Sequence, residues 1–234
     1  MKKIQTTFCC QKCGALYPKW QGKCTTCQGW NTIVEELVRS KPPSDSPWKS
    51  ENPTYISDSH TPQLLKNINF HTENRIPCPD KEFNRVLGGG IVPGALVLIG
   101  GEPGIGKSTL LLQIALTLSW GKILYVSGEE SEAQIKMRAA RTGYQSESCY
   151  VLHETALQNI FQQIRQLNPS LLIIDSIQTM HTQHIESAAG SVVQVRDCTA
   201  SLLHYAKSTN TPVFLIGHIT KEGHLAGPLS LIHI

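Results

Sequence analysis

Gly101, Glu102, Pro103, Gly104, Ile105, Gly106, Lys107 and Ser108, followed by Thr109, fit the pattern GxxxxGK[ST]. That pattern does one kind of chemistry. Glycines let backbone N–H groups wrap a β-phosphate, the following helix N-terminus favours the anion, the lysine reaches the β and γ oxygens, and the hydroxyl takes Mg²⁺. The apolar run Leu171, Leu172, Ile173 and Ile174 ends in Asp175, where a carboxylate can complete a magnesium shell from across a sheet. A lone strand-end Asp is more often a cap, but the phosphate loop upstream favours the metal role. ATP and Mg²⁺ are therefore the expected ligands. Hydrolysis also needs a group to position and deprotonate water, and Glu129 and Glu130 both stand just beyond an apolar run. Spacing alone does not separate them.

A second constellation lies near the N-terminus, where Cys10 and Cys13 form one CxxC and Cys24 and Cys27 another. Two such knuckles can present four thiolates tetrahedrally to Zn²⁺, a closed shell that suits a structural site. Gly14 and Gly29 are expected to ease the tight turns after each pair. Cys9 could compete as a ligand, but its spacing to Cys13 is one residue too long. Cys78, Cys149 and Cys198 read as core or surface thiols. Paired metal-ligand spacing fits a reducing compartment better than a disulfide framework.

These residues need a scaffold, and its pattern is legible. Short β-type runs at Ala95 to Gly100, Ile123 to Ser127, Tyr150 to Leu152, Leu171 to Asp175 and Val213 to Gly217 alternate with longer segments of helical period. The implied fold class is α/β, a parallel sheet flanked by helices. Ser131 with Gln134 and Ser191 with Gln194 have capping-box spacing and predict two helix starts. In the second helix, Val192, Val195, Thr199, Leu202, Leu203 and Ala206 are expected to share a buried face.

Composition bounds the remaining classes. The chain has 234 residues, 40% hydrophobic and 17% charged, with a formal charge of +3. Such a chain can bury a sizeable core, and its small net charge does not by itself argue for nucleic acid. Residues 1 to 30 hold Lys2, Lys3, Lys12, Lys19 and Lys23 and no acid. No apolar run is long enough to span a bilayer, so a cytoplasmic protein without a membrane partner is expected.

The residues resemble the bacterial RadA (Sms) family of DNA repair proteins. The resemblance rests on Trp20, Gly22, Lys23, Cys24, Trp30 and Asn31, on Phe83 to Gly90, and on the phosphate loop. It continues through Tyr125 to Ser131, Gly190 to Arg196 and Gly217 to Gly223. It implies a RecA-like core behind a zinc ribbon, acting as a DNA-dependent ATPase that processes or branch-migrates recombination intermediates. Single-stranded or branched DNA, the recombinase RecA and five further copies in a homo-hexamer are the implied partners. The resemblance favours Glu129 as the water-activating carboxylate and makes His218 a γ-phosphate sensor. It also places Gln178 to Gly190 and Thr220 to Gly227 at the DNA, with Lys221 touching phosphate.

The expected organisation is a zinc ribbon over 1–34, a linker over 35–62 with five prolines, and an incomplete RecA-like ATPase domain over 63–228. After Pro228 the family pattern implies a basic residue, an Asn-Arg-Phe-Gly signature and a Lon-protease-like domain. Leu229, Ser230, Leu231, Ile232, His233 and Ile234 instead read as the translation of a transposon-end sequencing adapter, a tail of non-native origin. A non-catalytic adaptor, with the nucleotide fold as a switch and the zinc module as a docking piece, is the alternative reading.

Overall fold

The computed structural model describes residues 5–10, 13–38, 64–67 and 75–218. Residues 39–62, Lys221 and the last six residues lie outside them.

A three-stranded antiparallel sheet forms the N-terminal module: β1 (Gln5–Cys10) pairs with both β2 (Leu16–Tyr17) and β3 (Ile33–Val38). Strand β3 carries the ribbon to Val38, through the first residues expected as linker. So small a sheet buries little, and Cys10, Cys24 and Ile33 make up its buried cluster.

The larger module is a parallel sheet of five strands in the order β4-β8-β7-β5-β6. They are β4 (Leu96–Gly101), β5 (Ile123–Ser127), β6 (Cys149–His153), β7 (Leu171–Asp175) and β8 (Val213–His218). Each expected strand is present, β5 and β7 with the expected bounds and the others with ends moved by one residue. The helices are α1 (Lys81–Val86), α2 (Lys107–Thr117), α3 (Glu132–Thr142), α4 (Leu157–Leu167) and α5 (Val192–Thr209).

Side-chain alternation divides each central strand between two cores. Leu124, Val126, Leu172, Ile174, Val213 and Leu215 pack with α4 and α5. Ile123, Tyr125, Leu171, Ile173, Phe214 and Ile216 pack with α2 and α3. Strands β5 and β7 are buried throughout, as a parallel sheet covered on both faces requires. Helix α4 fits that cover because Leu157, Ile160, Phe161 and Ile164 recur at helical spacing and are all buried. Helix α1 had no periodic signal, being six residues long; Asp80 caps it by accepting from Phe83 N–H at 2.8 Å, and Phe83 packs tilted on Phe214.

Two helix expectations are refined. Ser131 and Gln134 form the full reciprocal capping box. Ser191 caps α5, but the Gln194 side chain does not return to it; it is buried and bonds the preceding loop. On α5, Leu203 is 38% exposed, whereas Cys198, Ser201 and Tyr205 join the buried face. The stripe is wider and rotated towards Tyr205, because the helix lies against the sheet and the loop before it.

Candidate nucleotide site and metal centre

Strand order brings the chemistry to one edge of the sheet. Strands β4, β5, β7 and β8 all run the same way, so Gly101, Ser127, Asp175 and His218 come together at their C-terminal ends. Ligands in open α/β sheets bind at that edge.

The phosphate loop leaves β4 and becomes α2 at Gly106, whose left-handed φ of 98° serves as the helix N-cap; Gly104 has φ 84°. Side chains at these two glycines would meet nothing within 4 Å, so the requirement is backbone conformation, which turns the N–H groups into the cradle. Lys107 is buried beneath the loop and donates to the Gly101 and Glu102 carbonyls at 2.8 and 2.7 Å. Ser108 Oγ donates to Asp175 Oδ1 at 3.0 Å across 67 residues of sequence. Two oxygens bound side by side on an octahedral Mg²⁺ at about 2.1 Å lie about 3 Å apart. This donor pair fits that ion without rearrangement.

Asp175 is buried and held by a second layer. Tyr125 donates its hydroxyl to Asp175 Oδ2 at 2.5 Å, and an Arg138 amino group stands 3.8 Å from the same oxygen. Burial first, then the Asp175 charge, push the Tyr125 phenol far above its ordinary range, so it stays a donor. Arg138 also pairs with Glu130. Neither role was read from the sequence: Tyr125 entered only as part of a block of resemblance, and Arg138 is an ordinary helical arginine.

Glu129 and Glu130 part company here. Gly128 N–H donates to Asp175 O, and Ser127 Oγ accepts from the N–H groups of both glutamates, fixing a tight turn after β5. Glu130 faces Arg138. Glu129 Oε1 accepts from Ser176 Oγ at 2.7 Å and lies 3.3 Å from His218 Nε2. Gly128 must be glycine, since a Cβ there would sit 2.1 Å from Thr179 Oγ1. Gln178 Nε2 donates to the His218 carbonyl, joining the 3-10 turn Ile177–Thr179 to β8.

The loop after that turn is fastened by Gln194. Its Oε1 accepts from Thr182 N–H at 2.9 Å, and its Nε2 donates towards the carbonyls of Ile185 and Ser187 at 3.0 and 3.1 Å. A capping-box spacing concealed this role. Glu154 does comparable work before α4, accepting from the N–H groups of Thr155 and Ala156 and from Asn159. Burial opposes its ionisation, but those donors and nearby His181 outweigh burial and lower its pKa.

In the ribbon, the sulfurs of Cys10, Cys13, Cys24 and Cys27 all lie within 4.8 Å of one another. The pairs Cys10–Cys27 and Cys13–Cys24 are 3.6 and 3.5 Å apart. Bonds of about 2.3 Å to a tetrahedral Zn²⁺ put sulfurs about 3.8 Å apart, so the cluster fits that ion. The two knuckles repeat one geometry: Gly14 N–H donates to Cys10 O, Cys10 N–H to Ala15 O, Gln28 N–H to Cys24 O and Cys24 N–H to Gly29 O. The left-handed positions are Gly14 at φ 72° and Gln28 at φ 60°. The expected Gly29 is thus the counterpart of Ala15, one residue past the strained position. Cys9 is buried on the opposite face of β1 from Cys10 by strand alternation, and Cys78 and Cys198 are core residues. Burial resists ionisation of Cys24, yet the Cys27 N–H, the Tyr17 hydroxyl, the Thr26 N–H and Cys13 bring its thiol down to about 5. Burial pushes Cys13 up to about 12.

A parallel sheet carrying a phosphate loop, a facing Ser–Asp pair and a carboxylate on the adjacent strand end define a P-loop nucleotide-binding domain, here behind a four-cysteine ribbon. The chain belongs to the AAA domain family, whose model matches residues 61–224. Residues 8–35 match the rubredoxin metal binding domain. The DNA repair protein RadA of Bacillus subtilis (strain 168) is 48% identical over 236 residues, covering 100% of this chain and 51% of that protein. RadA of Halalkalibacterium halodurans is 49% identical over the same shares, and RadA of Listeria monocytogenes 47% identical over 99% of this chain and 50% of its own length. The resemblance read from the sequence is borne out, and the chain spans about half the length of these curated relatives. No helix among the described residues is long and apolar enough to cross a membrane.

Proposed function

We propose that this chain is the ATP-hydrolysing and zinc-binding part of a DNA repair protein that works on recombination intermediates. The observation carrying the hydrolytic reading is the Ser108–Asp175 pair at 3.0 Å, with Lys107 under the same loop and Glu129 at the next strand end. Sequence distance separates these groups, and the fold converges them.

Bound Mg²⁺ supplies charge neutralisation on the phosphoryl oxygens. Ser108 and Asp175 would hold it, while the Tyr125 hydroxyl and the Arg138 guanidinium keep the carboxylate aimed. The loop N–H groups orient the β-phosphate and Lys107 brings positive charge to the β and γ oxygens. Glu129 accepts a proton from water as the water oxygen bonds to the γ-phosphorus and the bond to the bridging oxygen of ADP breaks. His218, beside Glu129, senses the γ-phosphate, and the Gln178 link passes its position to the loop before α5.

DNA stimulation, a homo-hexameric ring, partnership with RecA and a phosphate contact by Lys221 are proposed for the intact protein on the strength of its RadA relatives. Steady-state ATP turnover by the full gene product, with and without single-stranded DNA, tests the reading. It predicts turnover that rises with DNA. ATP binding with no turnover in either condition contradicts it and favours the adaptor.

A further inference from the structure

The ribbon carries two large aromatic rings that it leaves exposed. Trp20 is 59% exposed and Trp30 is 71% exposed. Both flank Gly22: a Cβ there would lie 3.7 Å from Trp20 Cη2 and 4.0 Å from Trp30 Cζ3. The rings are anchored rather than loose. Trp20 Nε1 donates to Ile33 O at 3.1 Å, and Trp30 pairs with Lys23 across an antiparallel bridge, with Asn31 N–H donating to Gly22 O. The Lys23 ammonium stands 5.6 Å from the centroid of the Trp30 ring, and exposed Lys19 adjoins Trp20 in sequence.

We propose that Trp20 and Trp30, with Lys19 and Lys23, form a stacking platform for single-stranded DNA on the zinc ribbon, separate from the ATP site. Exposed aromatic faces interleaved with cations suit bases and phosphates together, because every base offers a π-face and every linkage a negative charge. A protein-binding core fits less well: lysine is depleted from such cores, whereas here Lys23 lies against the ring itself and the intervening residues are Gln21 and Gly22. The segment from Cys10 to Trp30 that carries both rings holds Lys12, Lys19 and Lys23 and no acid; the nearest acids, Glu35 and Glu36, lie further on, in β3. The metal then has a second role, holding the knuckle that sets both rings.

The test is fluorescence anisotropy of a labelled single-stranded oligo(dT) of about 20 nucleotides with the full zinc-loaded chain and no nucleotide. Replacing both rings (Trp20→Ala with Trp30→Ala) should weaken binding by about tenfold or more, from the usual worth of base–aromatic stacking. Trp30→Phe should keep most of the affinity, and Lys23→Ala should flatten the salt dependence by about one ion. Zinc content of each variant shows whether the ribbon still folds, and the single Trp30→Ala variant covers the case in which loss of the Trp20 bond to Ile33 unsettles it. Unchanged oligo(dT) affinity in a zinc-replete double variant overturns the proposal and leaves the face to a protein partner. Equal competition by a duplex of the same length also overturns it, since paired bases hide their faces. Because ATP is absent, loss of oligo(dT) binding in the variants supports the platform even if ATP turnover ignores DNA.

Discussion

Glu129 and Glu130 are adjacent and chemically identical, yet only Glu130 is paired with an arginine. Glu130 is bound by Arg138, which also stands near Asp175, while Glu129 meets the Ser176 hydroxyl and the His218 ring. Residue types could not separate them, since the arginine that decides lies on α3 and its reach depends on the packing of α3 over β5. Gln28 is a similar case in the ribbon. It holds a left-handed φ of 60° where its counterpart is Gly14, a conformation that costs a non-glycine residue about 1 kcal/mol. Gln28→Gly is therefore expected to raise the chelator concentration needed to strip the metal. A lower requirement would show that the Gln28 side-chain bond to Thr25 matters more than the strain.

At the scale of elements, five strands and two capped helix starts were legible because alternation, helical period and caps are local signals. The loop between β7 and α5 was not, for its fastening depends on one amide reaching back twelve residues to Thr182. Gln194→Ala leaves several buried backbone groups unpaired, and the loss should amount to about 1–3 kcal/mol. Hydrogen exchange at the Thr182 amide should quicken well before the sheet does; unchanged exchange would contradict the assignment. Glu154 gives the α4 start a pH signature. Its folded pKa is depressed below the usual glutamate range, so its stabilisation is present above the unfolded pKa and is lost as pH falls through the folded one. Thermal melts of Glu154→Gln should therefore lie below those of the unaltered chain near neutrality and converge with them in acid. Curves that stay parallel would rule that linkage out.

The whole molecule has two independent sources of stability. The AAA domain has a hydrophobic core on each face of its sheet, whereas the ribbon's buried cluster is only Cys10, Cys24 and Ile33 among the described residues, and it depends on metal as small domains do. Cys24→Ser or chelation should abolish ribbon structure, seen as loss of protease resistance before about residue 38, while ATP binding persists. Loss of ATP binding on chelation would show that the two modules depend on each other. The sequence revealed the two modules and their ligands through spacing alone. It hid the supporting roles of Tyr125, Arg138, Ser176 and Gln178, because each acts only once the sheet brings distant strand ends together.

The central claim is that the strand-end cluster hydrolyses ATP, and Glu129→Gln tests it most directly. The amide keeps the shape and can still accept from Ser176, but it cannot take a proton. Single-turnover hydrolysis measured beside Mg²⁺-ATP affinity should show turnover reduced by about 100-fold or more with affinity retained, whereas Lys107→Ala should lose both. Turnover by Glu129→Gln equal to that of the unaltered protein would contradict the account.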